Sequence, residues 1–109
     1  MELGESLADA VHRETFEETG LALQKVVAFG LSSDPVQELH TYPNGDEVQN
    51  VSLMAHAFID GTPRSNDGEA VAFRFVSVDE VSTETFVKTE FPTFGHYLRF
   101  RQSGVFQLV

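Results

Sequence analysis

Between residues 7 and 18 the apolar positions recur with a helical period. Leu7, Ala10, Val11, Glu14, Glu17 and Glu18 fall on one face about a third of the circumference wide. Ser6 is a suitable N-cap with Asp9 three residues on, and Gly20 suits the left-handed position that ends helices. The pattern therefore predicts a helix over Ser6 to Thr19. Beyond Gly20 the texture changes to β-branched and aromatic residues, and Leu23 to Ser32 reads as a first strand. Asp34-Pro35 breaks it. "QELHTY" is expected as a short second strand, "PNGD" as a turn and "EVQNVSLMAHAFID" as a long third strand, because Asn-Gly readily supplies positive φ. A turn-rich loop, Gly61 to Glu69, leads into "AVAFRFVSV", which reads as another strand. A short helical turn in "VDEVSTETF" and a last helix in "PTFGHYLRFRQ", with Pro92 at its first turn, complete the pattern. Helix, several strands, then helix predicts an α+β fold, a mixed α/β sandwich, and not repeated βαβ units.

Composition bounds this picture. The 109 residues are expected to form one domain spanning 1–109, and 41% apolar content with ten Phe and two Tyr supports a packed core. There is no cysteine, which excludes disulfides, thiolate metal sites and cysteine nucleophiles and makes a reducing compartment the simpler expectation. Without a long apolar run or a basic, apolar leader, the expectation is a cytoplasmic protein with no membrane partner. The formal charge of −10 argues against nucleic-acid binding, whose affinity comes mainly from Lys and Arg on phosphates. A small phosphorylated substrate is compatible when metal cations screen the contact.

The charge is concentrated. Residues 1–20 hold six acids, Glu2, Glu5, Asp9, Glu14, Glu17 and Glu18, against the single Arg13. One explanation is a hydrated helix face. Two energies oppose it: the like-charged Glu14–Glu18 pair at i, i+4 costs roughly 0.2–0.5 kcal/mol, and carboxylates near a helix C-terminus oppose its dipole by roughly 0.3–1 kcal/mol each. A divalent cation would relieve both. Oxygen-rich, thiol-free ligands suit Mg²⁺ or Mn²⁺, and such an ion polarises phosphoryl groups and activates water.

The exact letters add to this. "GESLADAVHRETFEETGL" resembles the signature helix of the Nudix (MutT-like) hydrolases, which cleave nucleoside diphosphates linked to another group. The motif reads Glu, seven residues, Arg-Glu, an aliphatic, any residue, Glu-Glu, any residue, Gly, an aliphatic. Glu5, Arg13-Glu14, Glu17-Glu18, Gly20 and Leu21 fill it at the right spacing, with Thr15 at the aliphatic position. The motif's opening Gly would precede Met1, so the resemblance implies a Nudix-like fold lacking its first strands. It also implies roles: Glu14 as metal ligand or general base, Glu17 and Glu18 as metal ligands, Arg13 as the catalytic residue that orients Glu14 and holds it ionised, and Glu5 as a supporting acid. Family members often add an acid from a loop across the sheet, for which Glu69 is the first candidate and Asp67 the second.

The expected activity is thus Mg²⁺- or Mn²⁺-dependent hydrolysis of a pyrophosphate bond in a small phosphorylated nucleotide substrate. The alternative is a catalytically weak or inactive Nudix-fold fragment that binds a nucleotide or a protein partner. Tyr42 in "YPNGDE" is a candidate for stacking on a base, although the segment is already explained as a turn. His12, His40, His56 and His96 are scattered and read as surface or packed residues. Phe91, Phe94, Tyr97 and Phe100 are expected to dock the last helix on the sheet, and some of them are candidates for a homodimer surface.

Overall fold

The expected first helix forms as α1, Leu7–Thr19. Ser6 Oγ accepts from the Asp9 amide at 3.1 Å, and Gly20, at φ 72°, closes the other end by donating to Phe16 O at 2.8 Å. Only a residue without Cβ takes that conformation cheaply. The computed structural model describes residues 1–63, 76–82 and 87–109. The order of elements is α1, β1 (Leu23–Ser32), a one-turn helix α2 (Pro35–Glu38), β2 (Leu39–Thr41), β3 (Glu47–Gln49), β4 (Ser52–Ile59), two 3-10 turns, α3 (Phe91–Ser103) and β5 (Gln107–Leu108). Strand pairing is both parallel, β1 with β5, and antiparallel, β2 with β3, so the chain is α+β as the pattern predicted.

The sheet differs from the pattern in three places. Asp34-Pro35 does not merely interrupt β1: Asp34 Oδ1 accepts from the Val36 amide at 3.0 Å and starts α2, which absorbs Gln37 and Glu38 from the expected second strand. The long third strand is two strands. The Asn50 amide donates to Glu38 O at 2.9 Å in continuation of the β2–β3 register, and beyond it the chain changes partner, so β3 pairs with β2 while β4 joins the sheet ordered β4–β1–β5. Strand β5 was not foreseen, since two residues carry no periodicity. Of the expected strand at "AVAFRFVSV", residues 70–75 lie outside the described residues. The helical turn in "VDEVSTETF" is present as Val78–Glu80.

Contacts divide the chain into two compact units, Met1–Val27 with Ala57–Val76, and Ala28–His56 with Ser77–Val109. In the first, Ala10 and Leu23 are buried, Leu21 lies against Gly61, and the Lys25 ammonium sits 5.6 Å from the centroid of the Phe58 ring. In the second, Phe29 and Met54 are buried at the centre. Tyr97 and Phe100 of α3 reach Phe29 with ring centroids 5.6 and 5.9 Å apart, so the aromatic face of the last helix docks on β1 as expected. Burying a side chain such as Phe29 stabilises by about 1.5–3 kcal/mol. His56 belongs to the same cluster, 5.2 Å from Tyr97.

Candidate active site

Arg13 organises the acidic helix. Its Nε donates to Glu5 Oε2 at 2.7 Å and its Nη2 to Glu5 Oε1 at 3.1 Å, a two-pronged pair. Its Nη1 donates to both oxygens of Glu17 at 3.3 Å, one helical turn on, and its Nη2 lies 3.5 Å from Glu14 Oε1. Glu5 can reach back because Gly4, at φ 82°, folds residues 2–5 into a turn closed by Glu5 N donating to Glu2 O. In that turn the Glu2 amide also donates to Glu5 Oε1 at 2.9 Å. These contacts set the acidities. The hydrogen bond from Arg13, then that from the Glu2 amide, bring Glu5 down from 4.5 to about 2. Glu5 in turn raises the already high pKa of Arg13.

The three carboxylates expected to bind metal lie along the exposed side of α1. Glu14 and Glu17 side chains are 54% and 52% exposed, and Glu18 is exposed as well. Glu17 is turned onto Arg13, and Glu14 lies 3.7 Å from the Met1 amine. No three His, Asp or Glu side chains stand together as a metal-holding group among the described residues. The donor set nevertheless fits a hard divalent cation in chemistry: oxygen only, carboxylate, and open to solvent. No cationic side chain occupies the last turn of α1 to offset these acids. Glu69 and Asp67, the expected loop acids, lie outside the described residues.

The second unit holds a cavity of about 370 Å³ near the ends of β1 and β4 and the start of α3. Sequence reasoning had no signal for it except the Tyr42 segment. Tyr42 itself is exposed at the turn, where its amide donates to Asp46 O, and the cavity is lined instead by the flanking His40 and Asn50. Of the histidines, His96 is buried in α3 and accepts at Nδ1 from Arg99 Nη2. Burial, then the Arg99 charge, push its pKa down, with Asp34 opposing. No helix among the described residues is long and apolar enough to cross a membrane.

The family model described as "NUDIX domain" matches residues 1–96, and the chain belongs to that family, whose members are in general hydrolases of pyrophosphate bonds. Searches of curated proteins and of solved structures gave no match.

Proposed function

We propose that the chain is a Mg²⁺- or Mn²⁺-dependent hydrolase of a pyrophosphate bond in a nucleoside-diphosphate-linked substrate. The observation that carries this reading is the NUDIX match over residues 1–96, which contains the whole acid-rich helix. Glu14, Glu17 and Glu18, with Glu69, would hold the metal. When bound, the ion offsets phosphate charge and lowers the pKa of its water. Glu14 takes the proton of the attacking water, a general-base role.

Arg13 and Glu5 have a positioning role. Glu5 holds the guanidinium through two short hydrogen bonds, whereas Glu17 is held by two at 3.3 Å. Glu17 can therefore turn to a cation without leaving Arg13 unpaired. The exposure of Glu14 and Glu17 makes such a turn inexpensive. The net charge of −10 makes the cation necessary for affinity as well as for chemistry, since substrate phosphates would otherwise be repelled.

The test is phosphate or nucleotide release from a panel of dinucleotides, sugar nucleotides and nucleoside triphosphates, with Mg²⁺, with Mn²⁺ and with EDTA. Activity should vanish in EDTA. Glu18→Gln should lower it by at least the roughly 10–100-fold that loss of an outer-shell metal partner costs. Activity unchanged in Glu18→Gln would remove that residue from the metal site. A nucleotide bound by the chain but never hydrolysed would favour a binding role over an enzymatic one.

A further inference from the structure

The turn between β2 and β3 carries a chemistry that the acidic helix does not explain. Asn44 and Gly45 stand together at its tip, both exposed. Asparagine is among the thermolabile residues. The backbone nitrogen of the residue after it can attack its side-chain carbonyl carbon and close a five-membered imide. A Cβ on that next residue obstructs the attack. Gly45 has none, and among the described residues nothing beyond its chain neighbours lies within 4 Å of where one would stand. Asn50, by contrast, precedes the stiff, β-branched Val51.

The closed turn holds the reacting atoms out of use. The Gly45 amide donates to Tyr42 O at 2.9 Å, so its nitrogen keeps its proton and is turned away from the side chain. The Asn44 side-chain amide is fixed at both atoms. Its Oδ1 accepts from the Asp46 amide at 3.0 Å, and its Nδ2 donates to Asp46 Oδ2 at 3.0 Å. The Tyr42 amide donates to Asp46 O at 2.8 Å, and Gly45 at φ 91° lets so short a loop close. These contacts are in water, and the hairpin they cap has only three residues in each strand. A turn of this kind opens locally at far less cost than the whole fold.

We infer that Asn44 is a site of intramolecular deamidation, latched in the closed turn by Asp46 and released when the turn opens. The Gly45 nitrogen gives its proton to base in solvent and bonds to Asn44 Cγ. The Cγ–Nδ2 bond breaks, and ammonia leaves with a proton taken back from solvent. Water then adds across either imide C–N bond. Opening at Cγ leaves aspartate at position 44. Opening at the main-chain carbonyl leaves isoaspartate, with the chain running through Cβ and Cγ. No electron is transferred, and water is the reactant consumed. Either product places a new negative charge beside Asp46. The second also lengthens the loop of a hairpin whose register is Thr41↔Glu47. The reaction does not depend on hydrolysis of any pyrophosphate.

Peptide mapping by mass spectrometry tests this on the whole chain, incubated in mildly alkaline buffer with and without guanidinium chloride. Asn44 should convert in both, ahead of Asn50. Conversion should be roughly 10- to 1,000-fold faster in the unfolded chain, the factor that the Gly45 and the paired Asp46 hydrogen bonds supply together. Asp46→Ala removes the Nδ2 contact alone. It should speed the folded chain by roughly 2- to 10-fold, the worth of one such bond, and leave the unfolded rate unchanged. Gly45→Ala in guanidinium chloride, where no fold is needed, should slow the reaction.

No conversion of Asn44 in guanidinium chloride, or conversion no faster than at Asn50, overturns the site. Equal rates in the two states overturn gating by the turn, and conversion confined to the unfolded chain overturns release by local opening. An Asp46→Ala chain, folded by circular dichroism, that converts at the wild-type rate overturns the latch. Should that variant not fold, the two states of the wild type still decide the gating.

Discussion

Gly30 and Gly95 should respond in opposite directions to the same substitution. Gly30 lies in β1 where strand β5 and Met54 approach it. A Cβ there would come 2.5 Å from Met54 Cε, 3.1 Å from Gln107 Cβ, and closer still to the Gln107 carbonyl oxygen. Met54 is flexible and can turn aside. The Gln107 carbonyl cannot, because it belongs to the backbone register Gly30↔Gln107 of the parallel pair. Either the overlap is borne as strain, at about 1–3 kcal/mol, or β5 shifts. A shift endangers Val109 N→Leu31 O and Ser33 N→Val109 O, at 2.9 and 2.8 Å. Two hydrogen bonds at about 0.5–1.5 kcal/mol net each come to a similar sum. Restricting the unfolded chain returns about 0.4–1 kcal/mol. Gly30→Ala should therefore destabilise by about 0.5–2.5 kcal/mol, a fall in Tm of several degrees for a chain of this size. In α3, a Cβ on Gly95 would meet, among the described residues, Arg99 Nη1 at an ordinary 3.7 Å. Gly95→Ala should stabilise by about 0.5–1 kcal/mol. Urea unfolding of both variants beside the wild type is the assay. A Gly30→Ala variant as stable as the wild type would refute the close approach of β5.

Three further outcomes are expected. The Arg13 guanidinium brings the folded pKa of Glu5 down from the ordinary 4.5 to about 2, so its ionised form is the one the fold favours. The stability it adds is present above pH 4.5 and is lost as pH falls toward 2; in EDTA, the gap between wild type and Glu5→Gln by urea unfolding should close over that window. Ser6→Ala removes the acceptor of the Asp9 amide and should cost about 0.5–2 kcal/mol in thermal unfolding. His96 is held neutral by burial and by Arg99, so the unfolded chain takes up its proton first. Stability should then fall as pH drops below 6.5, and His96→Asn should show a shallower slope there.

What could be read in advance followed interaction range. Helix α1 was legible because its caps, its periodicity and its motif lie within twenty residues. The same local window placed α3 and its aromatic face. Helix α2 was missed because the signal, Asp34-Pro35, reads equally as a break and as a helix start. The split of the third strand follows from its two halves pairing with different partners, β2 and β1, which no local pattern records. The acids of α1 were legible as a group, whereas the grip of Glu5 on Arg13 depends on the turn at Gly4. The cavity was illegible for a related reason. Ser32, Gln37 and Glu38 look like ordinary polar residues, and only burial without partners distinguishes two of them.

The pairing of β1 with β5 has a consequence for the order in which the molecule can be made. One side of the middle strand is completed by Gln107–Leu108 and by the Val109 backbone, almost eighty residues later in the chain. On the ribosome, the apolar run from Val26 to Leu31 must wait with an open edge until those residues emerge. Such an edge is a template for other strands, and distant pairings are slow to form. During synthesis the chain should thus depend most on chaperones after α1 has formed and before residue 109 has cleared the exit tunnel.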